Sequence, residues 1–189
     1  MEKEVQPVGV LFADEPRAVI ECLLFVANEP LDLGTLSEIA GITKSDARIL
    51  LQQLEELYNG EGRGIRLVEV AGGFQLITRP EMAPYIEKLY KPHTAALSHA
   101  ALETLAIVTY RQPITRAEIE QIRGVKVEGV LTTLMERKLI REVGRKEGPG
   151  RPILYGTTKE FLTYFGLKDL KELPDLATFQ SNKDNAPEE

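Results

Sequence analysis

The sequence predicts an α+β fold, mainly helical, made of two consecutive copies of one small domain. Each copy has three amphipathic helical segments in the order of a helix-turn-helix, followed by two strand-like runs joined by a glycine-containing turn. Corresponding apolar positions in the two copies lie about 82 residues apart. A β-hairpin placed after a helix-turn-helix is a wing, so the chain is predicted to hold two winged-helix domains in tandem.

The duplication is clearest around the first helix of each copy. The segment 21–31 recurs as the segment 103–114, and both end with a proline and an aliphatic residue. Further matches keep the same order: Leu36, Ile39, Gly41, Ile42 and Leu51 stand against Ile119, Ile122, Gly124, Val125 and Leu134. One supersecondary unit is therefore present twice.

The first helix of the first copy is predicted over residues 17–27. Its apolar residues recur at the three- and four-residue spacing of an amphipathic helix, which predicts one stripe facing the core. That stripe is assigned to Val19, Leu23 and Val26, with Cys22 close by. Since Cys22 is the one cysteine and lies in an apolar stretch, we interpret it as a structural thiol.

Two more helices and a hairpin complete the first copy. Asp32 and Thr43 are the candidate N-caps of the second and third helices. The third helix carries an apolar stripe of Ala47, Leu50, Leu51, Leu54 and Leu57. The wing is predicted from strands at 65–70 and 74–78. A closing helix over 80–90 is expected to face inward with Tyr85, Ile86 and Leu89.

The second copy follows the same plan. Ser98 is the predicted N-cap of its first helix, and Thr115 with Glu118 forms a predicted capping box at the second. Its hairpin is predicted from strands at 139–143 and 152–156. Thr158 is expected to cap a last helix whose apolar face holds Phe161, Leu162 and Phe165.

These patterns predict four segments along the chain. Residues 1–15 form an N-terminal extension, 16–90 the first winged helix and 91–170 the second. Residues 171–189 are predicted to be an acidic, disordered tail, because the apolar pattern decays there. The short connection over 91–94 leaves little room for a flexible tether.

Composition excludes several classes of function. The net charge of -6 and the pI of about 5.2 disfavour general nucleic-acid binding, although a local basic patch can override net charge. No apolar run approaches the roughly 18 to 20 residues of a membrane span, and the acidic N-terminus lacks a signal-peptide pattern. We therefore expect a cytoplasmic protein without a membrane partner. One cysteine and two histidines are too few for a structural zinc site, and no cofactor is predicted.

The sequence offers no convincing catalytic residues. Ser98 and His99 are adjacent, and adjacent residues on a helix do not face each other. The glycine-rich segments 60–64 and 148–150 lack the Gly-Lys-Ser/Thr ending of a nucleotide-binding loop, so we interpret them as connections. No enzymatic activity is predicted.

Neither third helix has the cationic face of a base-reading helix. The first carries Lys44 and Arg48 against Asp46, Glu55 and Glu56, and the second balances Lys126, Arg137 and Lys138 against Glu128 and Glu136. The second wing is the exception, because Arg141, Arg145, Lys146 and Arg151 outnumber Glu142 and Glu147 there. A weak phosphate contact by this wing stays open beside a solvated or protein-binding wing.

The motif over residues 150–158, Gly-Arg-Pro-Ile-Leu-Tyr-Gly-Thr-Thr, resembles the segregation and condensation protein B family. The segments 18–25 and 73–78 are similar to that family too, and the resemblance extends over about 16–170. It implies a homodimer that binds a kleisin, segregation and condensation protein A, and through it an SMC ATPase. The implied role is chromosome condensation and segregation by a non-catalytic, nucleoid-associated subunit.

The resemblance also implies which domain does what. The first domain makes the dimer, and the second binds a central segment of the kleisin. The expected kleisin anchors are Tyr110, Ile114, Leu154 and Tyr155, with Arg151 as a rim or carboxylate contact. The expected dimer contacts are Phe25, Leu31 and Leu33. Each apolar anchor has an alternative role in the core or a turn.

The alternative function is a winged-helix transcription regulator that binds DNA as a dimer. Such a protein binds a defined operator with an affinity that falls steeply as salt rises. An accessory subunit is expected to bind DNA only weakly or indirectly, which separates the two hypotheses.

Overall fold

The computed structural model of the chain describes residues 16–90 and 96–175. It divides into two compact units, Met1–Lys91 and Pro92–Glu189. The predicted N-terminal extension, the connection over 91–94 and the predicted tail beyond residue 175 lie outside the described residues. Each unit is described below by itself.

The first unit begins with the three predicted helices. They are α1 (Pro16–Val26), α2 (Leu33–Ile39) and α3 (Lys44–Asn59). The carboxylate of Asp32 accepts hydrogen bonds from the N–H groups of Gly34 and Thr35, which caps α2. The hydroxyl of Thr43 accepts from the N–H of Asp46, which caps α3. Both predicted N-caps are confirmed.

The wing of the first unit is a two-stranded antiparallel hairpin. Strands β1 (Ile65–Val70) and β2 (Gly73–Thr78) pair from Ile65 with Thr78 to Val70 with Gly73. Ala71 and Gly72 both have positive φ angles, of 51° and 75°. This is the backbone of a two-residue type I′ turn, whose twist matches that of the strands. The predicted hairpin is confirmed.

A short backbone pairing ties the hairpin to the loop after α1. The N–H of Leu31 donates to the carbonyl of Phe74 at 3.0 Å, and the N–H of Phe74 donates to the carbonyl of Leu31 at 2.8 Å. Gly73 makes this approach possible, since a Cβ there would lie 2.9 Å from the carbonyl carbon of Leu31. This pairing therefore attaches the hairpin to the loop between α1 and α2.

The core of the first unit lies between α1, α2, α3 and the hairpin. Its buried residues are Ile20, Leu24, Leu36, Ala47, Leu51, Leu54, Leu67 and Phe74. The predicted inner face of α1 was wrong at two positions, because Val26 is 63% exposed and Cys22 is also exposed. Ile20 and Leu24 are the fully buried residues of α1 instead. Leu57, the last member of the predicted α3 stripe, is exposed as well.

The closing segment of the first unit differs from its prediction. Residues Pro80–Met82 form one 3-10 turn, and α4 (Ala83–Tyr90) follows it. The expected inward face is wrong, because Tyr85 is 68% exposed and Leu89 is 74% exposed. Ile86 is half-buried. An amphipathic pattern shows that a helix has an apolar face, and it does not show that the same unit covers that face.

The second unit has the same element order with one more strand. Its helices are α5 (His99–Arg111), α6 (Arg116–Arg123), α7 (Glu128–Glu136) and α8 (Lys159–Phe165), and its strands are β3 (Ile114–Thr115), β4 (Ile140–Arg145) and β5 (Ile153–Thr157). Ser98, Thr115 and Thr158 accept the predicted capping hydrogen bonds from backbone N–H groups. The capping box of Thr115 and Glu118 is confirmed.

The three strands of the second unit lie in the order β3-β5-β4, all antiparallel. Ile114 pairs with Tyr155 in the same place where Leu31 pairs with Phe74 in the first unit. The register of β4 shifts between Glu142 and Gly144, which leaves one extra residue in that strand. The predicted duplication thus extends to the backbone pairing that fixes each wing.

The second core includes residues beyond the predicted end of the domain. Its buried members are Leu97, Ala101, Leu105, Val108, Ile114, Ile119, Val127, Leu131, Leu134, Leu139, Ile140, Tyr155 and Phe161. A 3-10 turn over Leu170–Glu172 follows α8, and Leu173 packs against this core. The sequence predicts a disordered tail from residue 171, but the structure holds 171–175 on the domain.

In the described ranges, no helix combines the length and apolar character that crossing a membrane requires.

A substitution that creates a cavity in the first core tests this packing. Leu54 is fully buried in α3, whereas Ile49 on the same helix is half exposed. We expect Leu54→Ala to lower the free energy of unfolding by about 2 to 5 kcal/mol, because a buried leucine leaves a void. Ile49→Ala should lower it by less than about 1 kcal/mol. Urea unfolding followed by circular dichroism measures both, and equal losses would contradict the described core.

Candidate functional site

The exposed side of α3 does not present a cationic surface. Of its two basic residues, Arg48 forms an ion pair with Glu69 of β1 at 3.4 Å and lies over the ring of Phe74. The exposed carboxylates of Glu55 and Glu56 lie on the same helix. A polyanion would therefore meet one remaining lysine and two glutamates.

The exposed side of α7 is not cationic either. Its exposed residues are Glu128, Gly129, Thr132, Thr133 and Glu136. Glu128 is paired with Arg116 of α6 at 3.2 Å. The helix that reads bases in DNA-binding members of this fold thus exposes acidic and small polar residues in the second unit, and a mixture of charged, amide and apolar side chains in the first.

The first unit exposes an apolar face on α1. Cys22, Phe25 and Val26 lie on its outer side at the three- and four-residue spacing of one helix face, and Phe25 is 78% exposed. We name these three residues the α1 patch. Leu31 and Leu33, the other two expected dimer contacts, are half-buried and pack partly on the core.

The expected kleisin anchors divide into two pairs. Ile114 is 4% exposed and Tyr155 is 8% exposed, and both belong to the second core. Their side chains therefore leave little surface for a partner. Tyr110 and Leu154 are half-buried, and Arg151 is exposed on the wing. The structure does not test whether any of them contacts a kleisin, so all five remain predictions.

Tyr110 borders an open groove of about 420 Å³ at the end of α5. Its hydroxyl donates to the carbonyl of Pro174 at 3.0 Å, which fixes the segment after the last 3-10 turn across the helix end. The groove is lined by Thr109, Tyr110, Gln112, Leu170, Lys171, Leu173, Pro174 and Asp175. The sequence prediction missed its second wall, because that wall lies where the tail was expected.

Glu118 fastens the second wing to α6. One of its carboxylate oxygens accepts from the ammonium of Lys146 at 2.6 Å, and the other accepts from the N–H and hydroxyl of Thr115. The ammonium of Lys146 is the main cause that lowers the pKa of Glu118 from 4.5 to about 2, and the bonds from Thr115 add to it. The carboxylate is thus ionised at neutral pH and holds the wing.

The second wing and the end of α7 carry a cluster of exposed cations. We name it the basic wing; it consists of Arg137, Lys138, Arg141, Arg145, Lys146 and Arg151. Arg145 donates to the carbonyl of Arg151 at 3.2 Å, which closes the wing loop. This cluster is the exposed cationic surface that neither α3 nor α7 provides.

Residues considered for chemistry have structural roles here. The hydroxyl of Ser98 accepts from the N–H of Ala101, and His99 lies beside Glu103 at 3.2 Å. Over residues 16–90 and 96–175, no three His, Cys, Asp or Glu side chains come together as metal ligands.

Cys22 and Val26 are the functional candidates that sequence reasoning placed on the wrong face. Most residues of α1 are apolar, so its periodicity does not distinguish neighbouring faces. The duplication does not correct this assignment. In the match of residues 21–31 with residues 103–114, the buried Leu105 and Val108 of α5 correspond to Leu23 and Val26, which is the face that was predicted.

The two units define a tandem winged-helix protein with an apolar surface on the first unit and a basic one on the second. Residues 18–176 match the family model described as segregation and condensation complex subunit ScpB. A segregation and condensation protein B from Moorella thermoacetica is 56% identical over 179 residues, which are 95% of this chain and 92% of that protein. The chain belongs to the ScpB family of segregation and condensation complex subunits.

Solved structures similar to the chain include ScpB from Mycobacterium tuberculosis. It is 38% identical, covers 82% of this chain and 97% of its own, and has a TM-score of 0.39. Another is a dimer of a ScpB N-terminal domain complexed with a ScpA peptide. It is 36% identical, covers 39% of this chain and 91% of its own, and has a TM-score of 0.37.

The Glu118 bridge predicts a pH dependence of stability. Because folding lowers the pKa of Glu118, its stabilising effect is complete above the unfolded pKa of about 4.5 and disappears as pH falls toward 2. We expect Glu118→Gln to lower the melting temperature at pH 7, and the difference from the original protein to vanish near pH 2. Thermal unfolding between pH 2 and 7 measures this, with Glu136→Gln on α7 as the control. A difference that is the same at every pH would contradict it.

Proposed function

We propose that the chain is a non-catalytic, homodimeric accessory subunit of an SMC-kleisin complex and that it binds the kleisin ScpA. The observation that carries the proposal is the family match over residues 18–176, whose description is that of a complex subunit. The helices α3 and α7 support it, since neither offers a cationic surface for reading bases. In this proposal the first unit dimerises and the second binds the kleisin.

We assign dimerisation to the α1 patch and the neighbouring Leu31 and Leu33. Phe25 and Val26 place more than half of their surface in water on a helix whose other side is fully packed. A second copy that crosses α1 about a twofold axis meets the same residues and buries both patches at once. The hydrophobic contribution grows with the apolar area removed from water, about 25 cal/mol per Å².

We assign kleisin binding to the surface around Tyr110 and Leu154. The groove beside Tyr110 combines apolar walls from Leu170 and Leu173 with exposed polar groups at its rim. An amphipathic helix or an extended segment of the partner would insert apolar side chains there. In this proposal Arg151, which is exposed at the wing, pairs with a carboxylate of the kleisin.

The alternative function is a DNA-binding transcription regulator. The basic wing is the observation that favours it. Tight binding to one defined operator at physiological salt would support the regulator and contradict the accessory subunit.

Light scattering of the full chain, alone and with a central kleisin segment, tests the main proposal. We expect a mass of twice 21.1 kDa alone and a larger, stable complex with the segment. A monomer that leaves the segment unbound would overturn both parts of the proposal.

The α1 patch predicts a dimer that a single charge disrupts. Phe25→Asp places a carboxylate in the proposed apolar contact, where burial without a partner is costly. We expect dimerisation to weaken by roughly a hundredfold or more, while the circular dichroism spectrum stays unchanged because Phe25 is exposed in the monomer. The measurement is the mass by light scattering over a dilution series.

The control for this variant is Ile122→Asp, which adds the same charge at a similarly exposed apolar residue of the second unit. It should remain dimeric. If both variants dissociate, or if neither does, the α1 patch is not the dimer contact.

The groove predicts that the ring of Tyr110 matters more to the kleisin than its hydroxyl does. We expect Tyr110→Ala to weaken binding of the central segment about tenfold or more, as loss of an aromatic anchor does. Tyr110→Phe keeps the ring and loses only the bond to Pro174, so it should bind within about threefold of the original protein. Isothermal titration calorimetry measures the affinity of both variants. An alanine variant that binds as tightly as the original protein would show that Tyr110 is not part of the kleisin site.

A further inference from the structure

We propose that the basic wing is a sequence-independent contact for the phosphate backbone of duplex DNA. Between residues 137 and 151, six lysines and arginines stand against two glutamates, in a chain whose net charge is -6. All six cations are exposed. Such a concentration of cations attracts a polyanion whatever the charge of the remaining molecule.

Four of these six cations have no ion-pair or side-chain hydrogen-bond partner among residues 16–90 and 96–175. Lys146 is paired with Glu118, and Arg145 donates to a backbone carbonyl and keeps its charge. Arg137, Lys138 and Arg141 form no ion pair with any described residue, and neither does Arg151. In contrast, Arg48 on α3 and Arg116 on α6 are paired with glutamates. Arg48 and Arg116 thus have acidic partners, whereas four cations of the basic wing remain available to another anion.

The wing is held in one shape before any ligand arrives. The N–H of Lys146 donates to the carbonyl of Pro152 at 2.8 Å, and the N–H of Arg151 donates to the carbonyl of Gly148 at 3.2 Å. The ion pair of Lys146 with Glu118 fastens the hairpin to α6. A fixed hairpin loses little conformational entropy when its side chains meet phosphates.

Two arginines of the wing lie on one strand. Arg141 pairs opposite Gly156 and Arg145 opposite Ile153, so the bulge leaves their Cα atoms about 10 Å apart along the hairpin. Both side chains are exposed, so each can meet a backbone phosphate. We assign the contact to the backbone because α7 exposes no arginine, lysine, asparagine or glutamine to read bases beside it.

Duplex DNA fits the wing better than an anionic membrane does. The loop between Arg145 and Ile153 contains no aromatic or aliphatic side chain other than prolines, so it has nothing to insert among lipids. The family description, segregation and condensation complex subunit, also points to a protein that works where DNA is concentrated.

Fluorescence anisotropy of a labelled duplex of 25 base pairs with the full chain tests this proposal. We expect binding in 50 mM salt that is independent of sequence and that weakens steeply toward 200 mM. The test variant is Arg141→Gln with Arg145→Gln, and neither residue belongs to the proposed dimer or kleisin contacts. It should bind at least about tenfold more weakly at 50 mM salt, with a log-log salt slope smaller by about 1.8.

The matched control is Lys44→Gln with Lys88→Gln, which removes two positive charges from the first unit. It should bind DNA within about twofold of the original protein, and light scattering should show the same mass for both variants. No binding at 50 mM salt, or equal losses in the two variants, would overturn the proposal. So would binding to phosphatidylglycerol vesicles at a salt concentration that abolishes binding to DNA.

Discussion

Each unit depends on a short backbone pairing between the segment that follows its first helix and the second strand of its hairpin. In the first unit this is Leu31 with Phe74, and in the second it is Ile114 with Tyr155. The pairing closes the core because it places Phe74 and Tyr155 inside, against the helices. Glycine is required next to Leu31, where a side chain would collide with the backbone. The outward surface of each wing follows from this inward attachment.

The two units share this frame and differ in what they expose. Residues 16–90 contain seven lysines and arginines and eleven acidic residues. Residues 96–175 contain thirteen lysines and arginines and eleven acidic residues. The third helix has sixteen residues in the first unit and nine in the second. Duplication therefore preserved the core and the attachment of the wing, while the outer faces became apolar on α1 and basic on the second hairpin. The division of labour in the proposed function rests on these outer faces.

Local signals explain what the sequence could predict. The capping residues could be predicted because a cap and its N–H partners lie within three residues of each other. The resemblance to the family is also confirmed. Which apolar residues face water could not be read in the same way. Val26 and Leu89 belong to apolar patterns and are nevertheless exposed, because burial depends on elements that are distant in sequence. Ile114 and Tyr155 show the reverse, since both were expected to bind a partner and both are buried in the core.

The exposure of Cys22 makes the α1 patch accessible to thiol reagents. The chain has a single cysteine, and its thiol lies on the outer side of α1, one helical turn before Phe25 and Val26. A thiol reagent such as a maleimide therefore attaches at one position per protomer, on the face assigned to self-association. Because the assigned dimer covers this thiol, its reaction slows as the protein associates, and the rate of labelling reports the fraction of monomer without any engineered residue.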